Sequence, residues 1–219
     1  PVAFITAWVA LVIMGRVREE DRVLIPGAAG GVGSALVQLA ARAGAQVLGL
    51  VGSPEKKEIV RGFGAGQVLT YEELDGRGTA EDAGFTLILD PRGGGALKDS
   101  IRRLAPGGRV ISYGVSSLVA GERRSLPRAL AGLLRTPIFT SIGLAMANKG
   151  VYGLNVLKLF DTASGRQLLG DALDGILEGF KAGDLKVHIG KSFPLASAGT
   201  AHTWLQSRKN VGKVVLSCR

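Results

Sequence analysis

The fold is decided by one stretch of the sequence, which reads Val23-Leu24-Ile25-Pro26-Gly27-Ala28-Ala29-Gly30-Gly31-Val32-Gly33. A short β-branched apolar run leads into a glycine-rich turn, and the next residues, 34–41, have the composition of a helix. Further strands are predicted over 46–51, 67–70, 85–90 and 109–113, and helices over 54–62 and 96–104. Because strands that alternate with helices are joined by right-handed crossovers, the sequence predicts an α/β fold with a doubly wound parallel sheet.

The glycine cluster matches the dinucleotide-binding fingerprint G-x-G-x-x-G, with Ala28 in place of the first glycine. In this pattern Gly30 lets the backbone approach a pyrophosphate closely, and Gly33 lets the helix pack tightly on the strand. The amino terminus of the helix adds amide donors and a partial positive charge. The pattern therefore predicts a dinucleotide site in a Rossmann fold, and the alternative is a purely structural glycine turn.

The residues after the second predicted strand bear on which dinucleotide is bound. An Asp or Glu about 20 residues beyond the glycines would contact the ribose of NAD, but here Gly52 and Ser53 follow the strand and the first acid is Glu55. Three cations come next, namely Lys56, Lys57 and Arg61. Since a 2′-phosphate binds to cations and hydroxyl donors, the sequence favours NADP(H). The alternative is that these lysines are solvated residues of a first helical turn.

The composition bounds the class of protein. The 219 residues include 33 glycines, but 46% are apolar and no collagen repeat occurs, which excludes the collagen-like and disordered classes. Cys218 is the single cysteine, which favours a reducing compartment, and we expect a cytoplasmic protein. Residues 2–14 form an apolar run shorter than the roughly 20 residues that cross a bilayer, so a buried helix is predicted there. Because the sequence opens at Pro1 without a leader, we expect that it was cut from a longer chain and is not secreted.

The pattern changes after Gly114. A strand is predicted over 151–155, and apolar residues at helical spacing from 168 to 180 predict an amphipathic helix that ends at Gly183. Residues 197–207 are predicted as a further helix and 213–217 as a closing strand.

Several motifs, taken in order, resemble those of medium-chain dehydrogenase/reductases of the quinone oxidoreductase group. They are Phe-Ile-Thr-Ala-Trp at 4–8, the glycine loop at 28–33, Gly-Ser-Pro-Glu-Lys at 52–56 and Asn-Val-Gly-Lys at 210–213. Within that group, Asp-Pro-Arg-Gly-Gly at 90–94 and Val-Tyr-Gly-Leu-Asn at 151–155 are similar to the vesicle amine transport protein branch. The resemblance spans essentially the whole sequence but only the later part of such a protein, which implies that the N-terminal GroES-like domain is absent.

The resemblance implies an NADP-binding Rossmann domain over 1–156, followed over 157–219 by helices and a strand that belong to an incomplete second domain, the GroES-like substrate domain. It implies a zinc-independent oxidoreductase that reduces a quinone or an α,β-unsaturated carbonyl by hydride transfer from NADPH. It also implies a homodimer that forms through the strand near 151–155. No catalytic residue is assigned, because one wall of the cleft would lie outside this sequence.

The resemblance also implies individual cofactor contacts. Thr6, Gly153, Leu154 and Asn155 would lie near the nicotinamide amide, and Ala29, Gly30, Gly31 and Val32 on the pyrophosphate. Gly52, Ser53, Lys56, Tyr71 and Arg208 would surround the 2′-phosphate, while Pro91, Tyr113, Gly114 and Ser116 would line the groove at the strand ends. Ordinary strand-end packing is the alternative for the two tyrosines, and a solvated surface position is the alternative for Arg208.

Zinc-dependent alcohol dehydrogenases share this fold and hold the metal with Cys and His ligands. The only such residues here are Cys218, His188 and His202, and none has the spacing of a metal site. We therefore expect no metal.

A second hypothesis is a non-enzymatic protein on a dehydrogenase fold that binds an acidic membrane surface or RNA. The net charge is +9, and Arg123, Arg124, Arg128 and Arg135 lie in an apolar stretch over 122–135. This composition is compatible with peripheral membrane contact. Nucleic-acid binding has less support, because aromatic residues for base stacking make up only 5% of the chain.

Overall fold

A computed structural model describes residues 1–76, 84–114 and 137–218 of the chain. Within these residues, a central sheet contains six parallel strands in the order β3-β2-β1-β4-β5-β6. The strands are β1 (Arg22–Pro26), β2 (Gln46–Val51), β3 (Gln67–Thr70), β4 (Phe85–Asp90), β5 (Leu104–Ser112) and β6 (Gly150–Gly153). This order is that of the doubly wound dinucleotide-binding fold, so the predicted fold class is confirmed.

Helices connect the strands and follow the sheet. They are α1 (Val2–Trp8), α2 (Gly31–Arg42), α3 (Lys57–Gly62), α4 (Tyr71–Gly76), α5 (Gly94–Arg103), α6 (Ser141–Ala147), α7 (Val156–Leu159), α8 (Ala163–Lys181) and α9 (Ala198–Gln206). A π-helical segment, Val9–Met14, extends α1, and short 3₁₀ turns, Pro54–Lys56 and Leu195–Ser197, precede α3 and α9. A separate pair of parallel strands, β7 (Ile189–Pro194) and β8 (Lys213–Ser217), completes the described elements.

Apolar side chains cover both faces of the central sheet. Val23 and Ile25 of β1 pack in the cluster that contains α1 and α2, whereas Leu24 packs with Ile88 of β4 and Leu97 of α5 on the other face. Successive residues of a strand point to opposite faces, and a parallel sheet needs both faces covered, which explains why β1 is an unbroken apolar run.

The apolar run 2–14 is helical throughout, and Ala7, Val9, Ala10 and Leu11 are buried, so the predicted buried helix is confirmed. Within the described ranges, no helix combines the length and the apolar character that crossing a membrane requires.

Helix α8 packs in the same hydrophobic core as α1. Its residues Leu169, Ala172 and Ile176 are buried, and a Cβ on Gly175 would lie 2.4 Å from the indole ring of Trp8 in α1. The close approach of the two helices therefore depends on a glycine at residue 175. The predicted domain division at residues 156 and 157 stays a prediction.

A buried ion pair fixes the turn before β1. Asp21 Oδ2 lies 2.9 Å from Nη2 of Arg109, and Asp21 Oδ1 lies 3.2 Å from Nη1 of the same guanidinium. Thr86 Oγ1 donates to Asp21 at 2.6 Å, and Arg109 Nε donates to the backbone oxygen of Gly15 at 2.5 Å. Burial on its own would raise the pKa of Asp21, but the hydrogen bonds from Arg109 and Thr86 outweigh it and hold that pKa below its usual value.

Candidate dinucleotide-binding site

The glycine loop forms the turn between β1 and α2. Gly27 has φ +69°, and the backbone nitrogen of Gly30 donates to the oxygen of Gly27 at 2.8 Å. A Cβ on Gly33 would lie 2.1 Å from the same oxygen and 2.8 Å from the Cα of Ala28, so only glycine allows α2 to start so close to β1. The N-cap of α2 is Gly30, which has no side chain that could cap the first turn. An anion can therefore take the place of a capping group.

The end of β2 lies beside the C-terminal segment. A Cβ on Gly52 would have no neighbour within 4 Å, and Lys56 Nζ donates to the backbone oxygen of Arg208. Burial lowers the pKa of Lys56, and the nearby carboxylate of Glu55 offsets this in part. The hydroxyl of Ser53 binds the Glu55 carboxylate and holds its pKa below the usual value. Lys56 and Arg208, 152 positions apart in sequence, thus meet where a 2′-phosphate was predicted.

The other two cations proposed for the phosphate have carboxylate partners. Lys57 Nζ lies 2.5 Å from Oε1 of Glu73, and Arg61 pairs with Glu58. Of the three cations that the sequence offers for the phosphate, Lys56 is therefore the one that forms no ion pair with a carboxylate among the described residues.

Residues at the ends of β1, β3, β4 and β5 converge. Pro91 Cγ would lie 3.7 Å from a Cβ on Gly27, and a Cβ on Gly114 would lie 2.4 Å from the backbone oxygen of Pro91. Burial raises the pKa of Tyr71, whose hydroxyl has a backbone hydrogen bond with Gly27, and burial raises the pKa of Tyr113 further. Both phenols therefore keep their protons. Three of the four predicted groove residues, Pro91, Tyr113 and Gly114, therefore lie together at the carboxyl edge of the sheet. The fourth, Ser116, and the arginine-rich stretch 122–135 lie outside the described residues.

Sequence reasoning gave no role to Asp90 and Arg92. Asp90 is fully buried, and its Oδ1 accepts hydrogen bonds from the backbone nitrogens of Arg92 at 2.6 Å and Gly93 at 3.0 Å. Its Oδ2 accepts from Ser100 Oγ at 2.5 Å, and the Arg92 guanidinium lies over the ring of Tyr71, 5.3 Å from the centroid. The Asp90 carboxylate thus fixes the turn that carries Pro91. The sequence signal that could have identified Asp90 is an acidic residue directly at the end of an apolar strand.

The predicted nicotinamide contacts lie at the other end of the groove. Leu154 donates its backbone hydrogen to Ser112 at 2.8 Å, and Asn155 Oδ1 accepts from Leu157 as the N-cap of α7. Leu154 packs against the same buried cluster as Trp8 of α1, the helix that carries Thr6. The hydroxyl of Thr6 donates to the backbone oxygen of Val2 at 2.8 Å. The ends of β5 and β6 and helix α1 are therefore neighbours.

A parallel six-stranded sheet with a glycine loop between β1 and α2 defines a Rossmann-type α/β protein. A family model described as zinc-binding dehydrogenase matches residues 63–216, and the chain belongs to this family.

Its relatives agree with the resemblance found in the sequence. The synaptic vesicle membrane protein VAT-1 homolog of Danio rerio is 28% identical over 223 residues, which cover 99% of this chain and 45% of that protein. A 2-haloacrylate reductase from a Burkholderia species is 28% identical over 205 residues, or 92% of this chain and 56% of that protein. The chain therefore spans about half the length of these curated relatives.

Among solved structures, the quinone oxidoreductase from Thermus thermophilus, described together with its NADPH complex, has a TM-score of 0.79 and 30% identity. The match covers 99% of this chain and 64% of that one. The resemblance to the quinone oxidoreductase group is confirmed.

The family name implies zinc, but the described residues do not fit it. Within 1–76, 84–114 and 137–218, no three His, Cys, Asp or Glu side chains are grouped so that they could hold a metal ion. Cys218 is exposed, and the His188 ring packs against Phe63 at 5.5 Å between centroids. No step of the chemistry proposed below uses a metal.

Proposed function

We propose that this chain is the cofactor-binding part of a zinc-independent, NADPH-dependent oxidoreductase that reduces a quinone or an α,β-unsaturated carbonyl compound, and that residues 157–219 contribute to its substrate domain. The observation that carries the proposal is the glycine loop, where the contacts at Gly33 exclude any side chain and Gly30 leaves the first turn of α2 uncapped. Doubly wound sheets bind their ligands at this edge. The Thermus thermophilus relative, described together with an NADPH complex, supports the same cofactor.

The reaction follows from placing a cofactor along the carboxyl edge of the sheet. Bound NADPH supplies hydride from its nicotinamide ring, while the protein binds, orients and excludes water. The first turn of α2 holds the pyrophosphate, and Lys56 with Arg208 holds the 2′-phosphate. The ends of β5 and β6 would hold the nicotinamide beside α1. We assign no proton donor.

The substrate class is tested by following NADPH consumption with a 1,4-quinone, an enone and 2-chloroacrylate in turn, by this chain joined to the N-terminal substrate domain that the resemblance to the quinone oxidoreductase group implies. The third substrate is included because the Burkholderia relative is a 2-haloacrylate reductase. We expect NADPH consumption with at least one of the first two, unchanged after treatment with a chelator. NADPH binding without turnover of any of the three, or turnover that the chelator abolishes, would contradict the proposed reaction.

The 2′-phosphate assignment predicts that Lys56→Met weakens NADPH binding by roughly 10–100-fold. This factor corresponds to the free energy of one charge-assisted hydrogen bond. Binding of NADH, which lacks the 2′-phosphate, should not change. Lys57→Met is the matched control, since Lys57 pairs with Glu73 and should leave the NADPH preference intact. Calorimetric titration of each variant with both cofactors measures this, and equal losses for NADPH and NADH in Lys56→Met would contradict the assignment.

We also propose that the chain forms a homodimer through β6. This strand is at one edge of the described sheet, Tyr152 on it is 48% exposed, and Ile142 and Met146 of the preceding helix α6 are 75% and 84% exposed. An exposed apolar edge favours pairing with a second sheet. We predict that Tyr152→Lys converts a dimer into a monomer in analytical ultracentrifugation, whereas Leu205→Lys on α9 does not. A monomeric wild-type chain, or a dimer that survives Tyr152→Lys, would contradict the proposal.

A further inference from the structure

We propose that Arg92 is a positioning residue for the 2′-phosphate end of the cofactor, because its guanidinium holds the ring of Tyr71 beside the glycine loop. This inference rests on the proposed function. It gives a part in cofactor choice to a side chain in the turn between β4 and α5, which lies outside the glycine fingerprint and apart from the lysines that follow β2.

A buried carboxylate fixes the turn that carries Arg92. Oδ1 of the fully buried Asp90 accepts hydrogen bonds from the backbone nitrogens of Arg92 at 2.6 Å and Gly93 at 3.0 Å. Gly93 has φ +65°, a backbone conformation that favours glycine. The Arg92 side chain therefore leaves the backbone from a defined position.

The same network fixes the far end of the Arg92 side chain. Its Nη2 lies 3.4 Å from Oδ2 of Asp90 and 3.3 Å from Oγ of Ser100 in α5. Ser100 is itself buried, and its hydroxyl donates to Asp90 at 2.5 Å. Because a guanidinium is planar and its donors have a fixed geometry, two acceptors restrict its orientation as well as its position.

The guanidinium lies over the ring of Tyr71, the first residue of α4. Its Cζ is 5.3 Å from the ring centroid, which is within the range of a cation–π interaction. The same ring packs against the buried cluster that includes Leu24 of β1 and Leu97 of α5. Apolar packing and Arg92 together therefore restrict the orientation of the ring.

Tyr71 borders both parts of the proposed site. Its hydroxyl has a backbone hydrogen bond with Gly27 of the glycine loop, and the charge of Arg208 partly offsets the rise that burial causes in its pKa. The backbone oxygen of Arg208 accepts a hydrogen bond from Lys56. A change in the orientation of the ring should therefore alter the pocket assigned to the 2′-phosphate.

The pyrophosphate part of the site has its own support. The backbone nitrogen of Gly30 donates to the oxygen of Gly27 at 2.8 Å, and α2 packs closely on the start of the loop at Gly33. Neither contact involves Tyr71 or Arg92. Losing the Arg92 side chain should therefore affect NADPH, which carries a 2′-phosphate, and not NADH, which lacks one.

Arg92 acts through geometry more than through its charge. Its guanidinium pairs with the buried Asp90 carboxylate, so the two charges largely cancel at the distance of a ligand. Lys56, by contrast, forms no ion pair with a carboxylate in the described part of the chain. Lys56 therefore supplies charge to the 2′-phosphate, whereas Arg92 sets the shape of the pocket.

The test is a calorimetric titration of wild type and Arg92→Met with NADPH, NADH and adenosine 2′-monophosphate, which carries the 2′-phosphate without a pyrophosphate. We expect Arg92→Met to weaken NADPH and adenosine 2′-monophosphate by the same factor, roughly 3–10-fold, and to leave NADH unchanged. Arg102→Met is the matched control, since it removes an exposed arginine that pairs with Asp99 and should change none of the three.

A double-mutant cycle separates positioning from direct contact with the phosphate. If Arg92 acts through Tyr71, Arg92→Met should have no further effect on NADPH binding in a Tyr71→Leu background. Arg92→Lys is a second variant, which keeps a cation for the buried Asp90 and so protects the fold. Because it lacks the planar guanidinium, it should still bind NADPH more weakly than wild type and bind NADH equally well.

Other outcomes overturn the inference in distinguishable ways. Unchanged NADPH binding by Arg92→Met would refute the role of Arg92, and equal losses for NADPH and NADH would indicate a structural role only. An undiminished effect in the Tyr71→Leu background, or full recovery in Arg92→Lys, would show that the charge acts on the phosphate directly. If wild type binds neither dinucleotide, the proposed function itself fails.

Discussion

Gly33→Ala is expected to abolish measurable NADPH binding and to lower the free energy of unfolding by about 1–3 kcal/mol. The added methyl group would lie 2.1 Å from the backbone oxygen of Gly27, so α2 must move away from the end of β1. This movement takes the first-turn amides out of reach of the pyrophosphate. The loss of two such charge-assisted hydrogen bonds corresponds to roughly 100-fold or more in affinity. Urea unfolding and calorimetric titration measure the two effects.

A matched glycine in α8 provides the control. A Cβ on Gly170 would have no neighbour within 4 Å, so Gly170→Ala should stabilise its helix by up to about 1 kcal/mol and leave cofactor binding unchanged. If Gly33→Ala bound NADPH as wild type does, the glycine loop would not be the pyrophosphate site.

Arg109→Met is expected to lower the free energy of unfolding at pH 7 by roughly 3–5 kcal/mol, because it leaves Asp21 charged, buried and without its guanidinium partner. Asp21 is only 4% exposed, and Arg109 gives it two hydrogen bonds. Arg109 also donates to the backbone oxygens of Gly15 and Arg16, so the substitution loosens the whole turn before β1.

The effect should depend on pH in a defined direction. In folded wild-type protein the pKa of Asp21 lies below its pKa in the unfolded chain, which is near 4. The ion pair therefore contributes to stability at pH values above the unfolded-state pKa. This contribution is lost as the pH falls through the folded-state pKa. In Arg109→Met the carboxyl is protonated more easily, and the deficit relative to wild type should shrink below about pH 4. Arg102→Met removes an exposed pair with Asp99 and should cost less than about 1 kcal/mol. A deficit for Arg109→Met as small as that of Arg102→Met would contradict the structural role.

Local patterns were sufficient to predict the central sheet. The predicted bounds of β2, β3, β4 and β8 coincide with the observed ones, because each is an apolar run that ends at glycine, proline or polar residues. Strand β7 was not predicted, since Ile189–Pro194 contains both glycine and proline and buries only Phe193. Its place is set by pairing with β8, which no local pattern contains.

The glycine loop was predictable from the sequence, but the partners of the lysines near it were not. The glycine fingerprint identified the loop, yet the sequence could not distinguish Lys56, which meets Arg208, from Lys57, which meets Glu73. The same limit applies to Arg92, whose guanidinium lies over the ring of Tyr71 at the end of β3, a strand that does not neighbour β4 in the sheet. Contacts between distant segments depend on tertiary structure, and a periodic pattern does not encode them.

We infer that the carboxyl edge of this sheet binds NADP(H), with a preference for the 2′-phosphate. The most direct measurement is a calorimetric titration of the wild-type chain with NADPH and with NADH at one fixed salt concentration. We predict binding of both, with NADPH roughly 10–100-fold tighter. Equal affinities or tighter binding of NADH would contradict the 2′-phosphate site, and no binding of either would contradict the proposed function.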